Sequence, residues 1–88
     1  MWRQSKAGIT SAVIDRSRPL PPYLQMAAIL REKIASGELA PGTRLPSVLG
    51  LAGEYHVAQA TAQKALALLK DEGLIVAYAG YGTFIAEE

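Results

Sequence analysis

Two helical stripes of apolar residues follow one another across a very short break. Val48, Leu51, Ala52 and Tyr55 recur at i, i+3, i+4 and i+7, and Ala62, Ala65, Leu66 and Leu69 repeat that spacing. Tyr55-His56-Val57 breaks the two patterns, so the spacing predicts a short helix over 47–54 and a longer one over 58–72. Ser47 stands where an N-cap belongs, because its hydroxyl can accept the first free backbone N–H groups. Gly50 and Gly53 each cost the short helix about 1 kcal/mol relative to Ala, so packing against the rest of the chain must hold it. Ala58 is a poor cap, which predicts fraying in the first turn of the longer helix, and Gly73 ends it.

A third stripe comes first. Tyr23, Met26, Ala27, Leu30 and Ile34 lie on one helical face, with Gln25, Arg31, Glu32 and Lys33 mostly off it. This predicts a helix over 23–36, with Pro22 suited to its first turn and Gly37 to its stop. Residues 37–46 read as a turn-rich connection marked by Pro41-Gly42. After the last helix, residues 74–78 and 83–86 are rich in β-branched and aromatic side chains and flank Ala79-Gly80-Tyr81-Gly82, the pattern of a β-hairpin. Residues 1–13 show no sustained period and read as poorly ordered. The β-branched residues from Ile9 to Ile14 are compatible with a short strand. Pro19, Pro21 and Pro22 impose an extended approach to the first helix.

Composition limits what such a chain can do. Its 88 residues allow one small domain. A domain of that size buries only about 60–65% of its unfolded surface, which leaves little scope for a large internal active-site cavity. The absence of cysteine excludes disulfides, thiolate metal sites and a cysteine nucleophile, and a single histidine, His56, excludes a multi-histidine metal site. No metal and no cofactor is expected. No apolar run approaches the roughly 20 residues of a membrane span. The basic start of the chain is not followed by the apolar stretch of a signal peptide. The expectation is a cytoplasmic binding module.

Charge is unevenly placed. Residues 1–22 carry Arg3, Lys6, Arg16 and Arg18 against Asp15, a net +3, whereas residues 23–88 carry a net −2. A basic arm over 1–22 therefore precedes a slightly acidic body over 23–88. Such an arm is either an ordinary flexible tail or a contact for a polyanion such as nucleic acid.

The order of elements carries a physical logic. A short helix, a tight turn and a longer helix make a helix-turn-helix, and a following hairpin adds a wing. The predicted fold is a small α+β, mainly α, winged helix-turn-helix, three helices followed by a two-stranded wing. The later helix fits the major groove of B-DNA, with its N-terminal outward residues at base edges. The two glycines of the hairpin tip let backbone approach phosphate or minor groove closely.

On these elements the sequence resembles the winged helix-turn-helix domain of GntR-type bacterial transcription regulators. The resemblance runs from about Ile14 to Ile85. It is carried by PPYLQMAAILREKIASGEL, APGTRLPS, Leu51-Ala52, Val57, Thr61, KALALLKDEGLI and GYGTFI. It implies that a recognition helix and a glycine-rich wing grip double-stranded operator DNA, as a homodimer on a palindrome. In that family a C-terminal domain normally binds an effector; this sequence stops at Glu88, straight after the wing, and no small-molecule effector domain is expected within it. The sequence also departs from the family pattern. Val48-Leu49 stands where an acidic residue and an arginine are usual, and Ala58-Gln59 where a serine and an arginine are usual. Gln63 and Tyr81 occupy positions that are commonly basic. Arg44, Ser47, Thr61, Lys64, Gly80, Gly82 and Thr83 keep the pattern.

The candidate DNA-binding set is therefore Arg44, Ser47, Gln59, Ala60, Thr61, Gln63, Lys64, Gly80, Tyr81, Gly82 and Thr83, with Arg16 and Arg18 from the arm. Gln59 and Gln63, one turn apart, are either solvated or read adenine through its N6 and N7 groups. Lys64 either meets a phosphate or sits on a solvated helix face, and Arg44, just ahead of the short helix, either clamps the DNA backbone or is solvated. Thr61 either touches phosphate or a thymine methyl, or packs at the helix edge. Tyr81 either stacks on sugar or base, contacts a partner protein, or is an exposed turn residue without a role. His56 reads as structural. An acidic body supplies few phosphate contacts, so weak, salt-sensitive binding per protomer is expected.

Two function classes compete on this pattern. The first is a sequence-specific, DNA-binding transcription regulator, a repressor. The second is a winged-helix protein-interaction module with weakened DNA grip, suggested by the neutral Leu49, Ala58, Gln59 and Tyr81. No enzyme is expected: paired carboxylates, a nucleophile–base set and a phosphate-binding loop are all missing, and the GxG of the hairpin is too short to count.

Overall fold

Pro22 supplies the first turn of helix α1, Pro22–Ser36, in the computed structural model, which describes residues 14–87. The helix starts one residue before the predicted boundary. Proline at this position loses nothing, because its missing N–H would have no partner in a first turn and its φ is already helical. The helix stops at Gly37, whose φ of +88° is a left-handed conformation that a side chain would disfavour. Met26, Ala27 and Leu30 of the predicted stripe are buried, with Tyr23 and Ile34 partly so.

Gln25 corrects the stripe. It was expected to lie off the apolar face, yet only 4% of it is exposed, and it is the buried polar residue of the described core. Its Oε1 accepts the Asp15 N–H at 2.8 Å, and its Nε2 donates to the carbonyls of Asp15 and Leu20 at 2.9 and 2.8 Å. A polar side chain satisfied on both ends can be buried without a large penalty. Through it the segment ahead of α1 is tied to the domain from Asp15 onward. The candidate strand from Ile9 lies outside the described residues except for Ile14, which packs partly buried against the core and is not in a strand.

Helix α2 spans Val48–Tyr55 and helix α3 spans Gln59–Asp71, each within one residue of the predicted bounds. Ser47 caps α2 as expected, its Oγ accepting the Gly50 N–H at 3.0 Å. Between the helices His56 adopts φ 56° and ψ 47°. Histidine is among the few non-glycine residues that tolerate this left-handed region, and it turns the chain sharply enough for α3 to cross α2. The turn is closed by the Val57 N–H donating to Ala52 O at 3.0 Å. Ala58 caps α3 only by position and makes no side-chain bond. Ala62, Ala65, Leu66 and Leu69 face inward and are buried, as the spacing predicted.

Strands β1, Ile75–Tyr78, and β2, Gly82–Ile85, pair antiparallel with Ile75 opposite Ile85 and Tyr78 opposite Gly82. Tyr81 donates its N–H to Tyr78 O at 2.9 Å across a turn that needs Gly80 at φ +83°. The predicted strand ends are off by one residue at each strand. A larger difference lies in the connection before α2. Residues 43–45 are not simply a turn: they run antiparallel along the free edge of β2, with Leu45 N–H to Thr83 O and Ile85 N–H to Thr43 O, both at 2.8 Å, and Arg44 bridged to Phe84. The Pro41-Gly42 turn folds this stretch back onto the hairpin. Met26 of α1, Leu51 of α2, Leu69 of α3 and Ile75 and Ile85 of the wing meet in one core. Burying a side chain of that size is worth about 1.5–3 kcal/mol, so the core suffices to hold a helix as short as α2.

Candidate nucleic-acid interface

Packing decides which face of α3 is free. With Ala62, Ala65, Leu66 and Leu69 turned into the core, Gln59, Ala60, Gln63, Lys64 and Ala67 are exposed and Thr61 is half-buried at the edge. The first turn of α3 carries no acidic residue and no capping side chain. Its first N–H groups therefore have no side-chain cap, and donors at a helix N-terminus suit a phosphate oxygen.

The wing stands beside this face. A groove of about 290 Å³ runs between α3 and the hairpin, and Gln63 and Lys70 form one wall with Thr83 and Ile75 on the other. Sequence reasoning placed Gln63 and Thr83 in separate elements; the fold brings them to one cleft. It also adds Lys70, which was not among the candidate residues. Gly80, Tyr81 and Gly82 form the wing tip, and Tyr81 is 73% exposed. Ser47, at the start of α2, is exposed and uses its oxygen lone pair on the cap, which leaves its O–H free to donate.

Three cations are placed in ways the sequence did not reveal. The Lys64 ammonium lies over the Tyr23 ring, 4.6 Å from its centre, and so links α3 to the start of α1. Arg16 donates to the carbonyl of His56, which ties the chain at Arg16 to the turn between α2 and α3. Arg44 reaches along the sheet and covers Gly82. Arg18 is exposed close to Asp15, whose carboxyl is held below its usual range by the Ser17 hydroxyl and N–H and, to a lesser extent, by the Arg18 charge. Their spacing in the chain gives no signal of these contacts, because each depends on how α1, the arm and residues 43–45 pack. His56 is exposed and serves the turn by its backbone. Leu49 is 69% exposed on α2. Among the described residues no cluster of His, Asp or Glu has a metal-binding arrangement.

Three helices, a tight turn between the second and third, and a glycine-tipped hairpin define a winged helix-turn-helix domain. The chain belongs to the family described as bacterial regulatory proteins, gntR family, whose pattern it matches over residues 22–85. It is similar to the histidine utilization repressor of Klebsiella aerogenes, with 42% identity over 72 residues, 82% of this chain and 30% of that protein. It is also 35% identical over 74 residues to the transcriptional repressor NagR of Bacillus subtilis, 84% of this chain and 30% of NagR. The chain thus spans about 30% of the length of these relatives.

Among solved structures, the GntR-family transcription factor YtrA of Sulfolobus acidocaldarius superposes with a TM-score of 0.79 at 40% identity, over 85% of this chain and 79% of that one. The DNA-binding domain of AraR in complex with operator ORX1 superposes with a TM-score of 0.77 at 29% identity, over 84% of this chain and 94% of that one. Among the described residues no helix is long and apolar enough to cross a membrane.

Proposed function

We propose that this chain is the DNA-binding part of a transcription repressor, without enzymatic activity, that occludes operator DNA in the cytoplasm. The observation that carries the reading is the exposed N-terminal face of α3, flanked by the wing, in a fold shared with an AraR domain bound to its operator. Gln59 and Gln63 present amide groups where a major-groove helix meets base edges. Thr61 and Lys64 lie beside them toward the backbone, and Ala60 keeps the helix surface low enough for close approach. Gly80, Tyr81, Gly82 and Thr83 bring the wing to the adjacent groove, and Ser47 donates to a phosphate at the start of α2. Arg16 and Arg18 add charge from the arm. A single protomer offers few cations, so two copies on the half-sites of a palindrome supply the affinity. The same similarities favour DNA binding over a protein-interaction module.

The test is fluorescence anisotropy with duplexes from the promoter region of the chain's own gene against a scrambled duplex, at two salt concentrations. Tighter binding to the promoter duplex, weakening with salt, is expected. Absence of binding to every duplex at low salt overturns the reading and turns attention to a protein partner at Leu49 and Tyr81.

A further inference from the structure

We infer that Arg44 is the cation of the wing, and that Gly82 is kept free of a side chain to seat it. The inference rests on the DNA-binding reading above and assigns one contact within it. From Leu74 to Glu88 the chain contains no lysine or arginine, so the hairpin has no positive charge of its own. An element that approaches a polyanion in this state contributes backbone donors and an aromatic ring but no counterion release.

The fold brings the missing charge from the neighbouring segment. Residues 43–45 run antiparallel to β2, and the Arg44–Phe84 bridge sets Arg44 beside β2. Gly82 lies two residues from Phe84 in the direction of the wing tip, on the same face of the sheet. The Arg44 side chain leans that way. A β-carbon added at Gly82 would stand 2.8 Å from Arg44 Nε, 3.3 Å from Nη2 and 3.4 Å from Cζ. The guanidinium therefore occupies the space a side chain at residue 82 would fill. Gly82 also has φ +118°, which L side chains rarely adopt. Arg44 is exposed and forms no ion pair among the described residues, so its charge is available to a ligand at the tip. The ligand chemistry is the phosphate oxygen of the duplex backbone beside the wing, for which a planar guanidinium is well matched.

The test uses the full chain and its promoter duplex, with affinity measured by anisotropy across a salt series. Arg44→Ala is expected to weaken binding about tenfold. It should also lower the slope of log affinity against log salt by about 0.9, the loss of one phosphate contact. Gly82→Ala should reproduce both losses with Arg44 intact, and the double variant should bind no more weakly than either single one. Gly82→Ala is strained, so thermal melts accompany it. If it fails to fold, a second pair stands in: Tyr81→Lys, placed in the Arg44→Ala background, should restore the salt slope by returning a cation to the tip. An unaltered slope in Arg44→Ala, alongside normal binding by the unmodified chain, overturns the inference and leaves the DNA-binding function standing. Additive losses in the double variant overturn the role of Gly82 as a seat. Failure of the unmodified chain to bind any duplex overturns the function itself, and the inference with it.

Discussion

The Lys64 ammonium stands 4.6 Å from the centre of the Tyr23 ring, so one side chain both faces outward from α3 and fastens α3 to α1. An exposed contact of this kind is worth about 0.5–1 kcal/mol. Two variants separate its roles. Tyr23→Leu removes the ring and leaves the charge; Lys64→Ala removes the charge. Both should lower Tm by about 2–8 °C for a domain of this size. Only Lys64→Ala should weaken binding of all duplexes alike and reduce the salt slope. Equal melting of Lys64→Ala and the unmodified chain would show that the ring contact contributes nothing to stability.

Gln25 governs the segment ahead of α1. Gln25→Met keeps the volume and removes three hydrogen bonds, leaving the Asp15 N–H and two carbonyls without their partner. Such a loss costs about 1–3 kcal/mol. The urea midpoint should fall accordingly. Amide exchange at Asp15 should rise well above the global rate, because the segment detaches before the core opens. Unchanged protection at Asp15 would mean that the arm is held by other contacts.

What the sequence discloses and what it conceals divide along the range of the interaction. The helices were legible because apolar periodicity is local: Leu51, Leu66 and Leu69 announce their burial by spacing alone. Ser47 and Gly37 were legible for the same reason, since caps depend on one or two residues. Gln25 was not, because its partners lie as far as ten residues upstream. The strand-like course of residues 43–45 was hidden as well. Its hydrogen bonds go to Thr83 and Ile85, some forty residues away. The outward face of α3 was readable as the complement of its core face. The placement of Arg16, Arg44 and Lys64 was not, because long flexible side chains find their partners only once the elements have packed.

Glu72 gives the acid limb of stability a defined component. The Arg31 guanidinium makes two hydrogen bonds to its carboxylate, at 2.9 and 2.8 Å, and these hold the Glu72 carboxyl below the ordinary carboxylate range. The folded state therefore binds this proton less readily than the unfolded one. Stabilisation is present above the unfolded pKa and is lost as pH falls through the lower folded value. The pair is exposed and screened by salt, so the effect is modest. Glu72→Gln should unfold at lower urea than the unmodified chain at neutral pH. The difference should vanish below the folded pKa of Glu72, and added salt should shrink it. A constant difference at all pH values would place the effect of the substitution elsewhere than in this pair.

Gln59 and Gln63 carry the sequence preference if α3 sits in the major groove. They lie one turn apart on the exposed face, and Gln63 also lines the groove toward Thr83. A bidentate amide contact to adenine discriminates against a wrong base by about 1–3 kcal/mol. Alanine at either position should leave the melting temperature nearly unchanged, because neither side chain is part of the core. It should flatten the penalty for a single substituted base pair in the half-site, at one position for Gln59 and at another for Gln63. The salt slope should stay the same, since no charge is removed. Competition with duplexes altered one base pair at a time reads this directly. If both alanine variants keep the full penalty at every position, α3 meets the groove through a different face, and the base contacts must be sought on the side of Lys70.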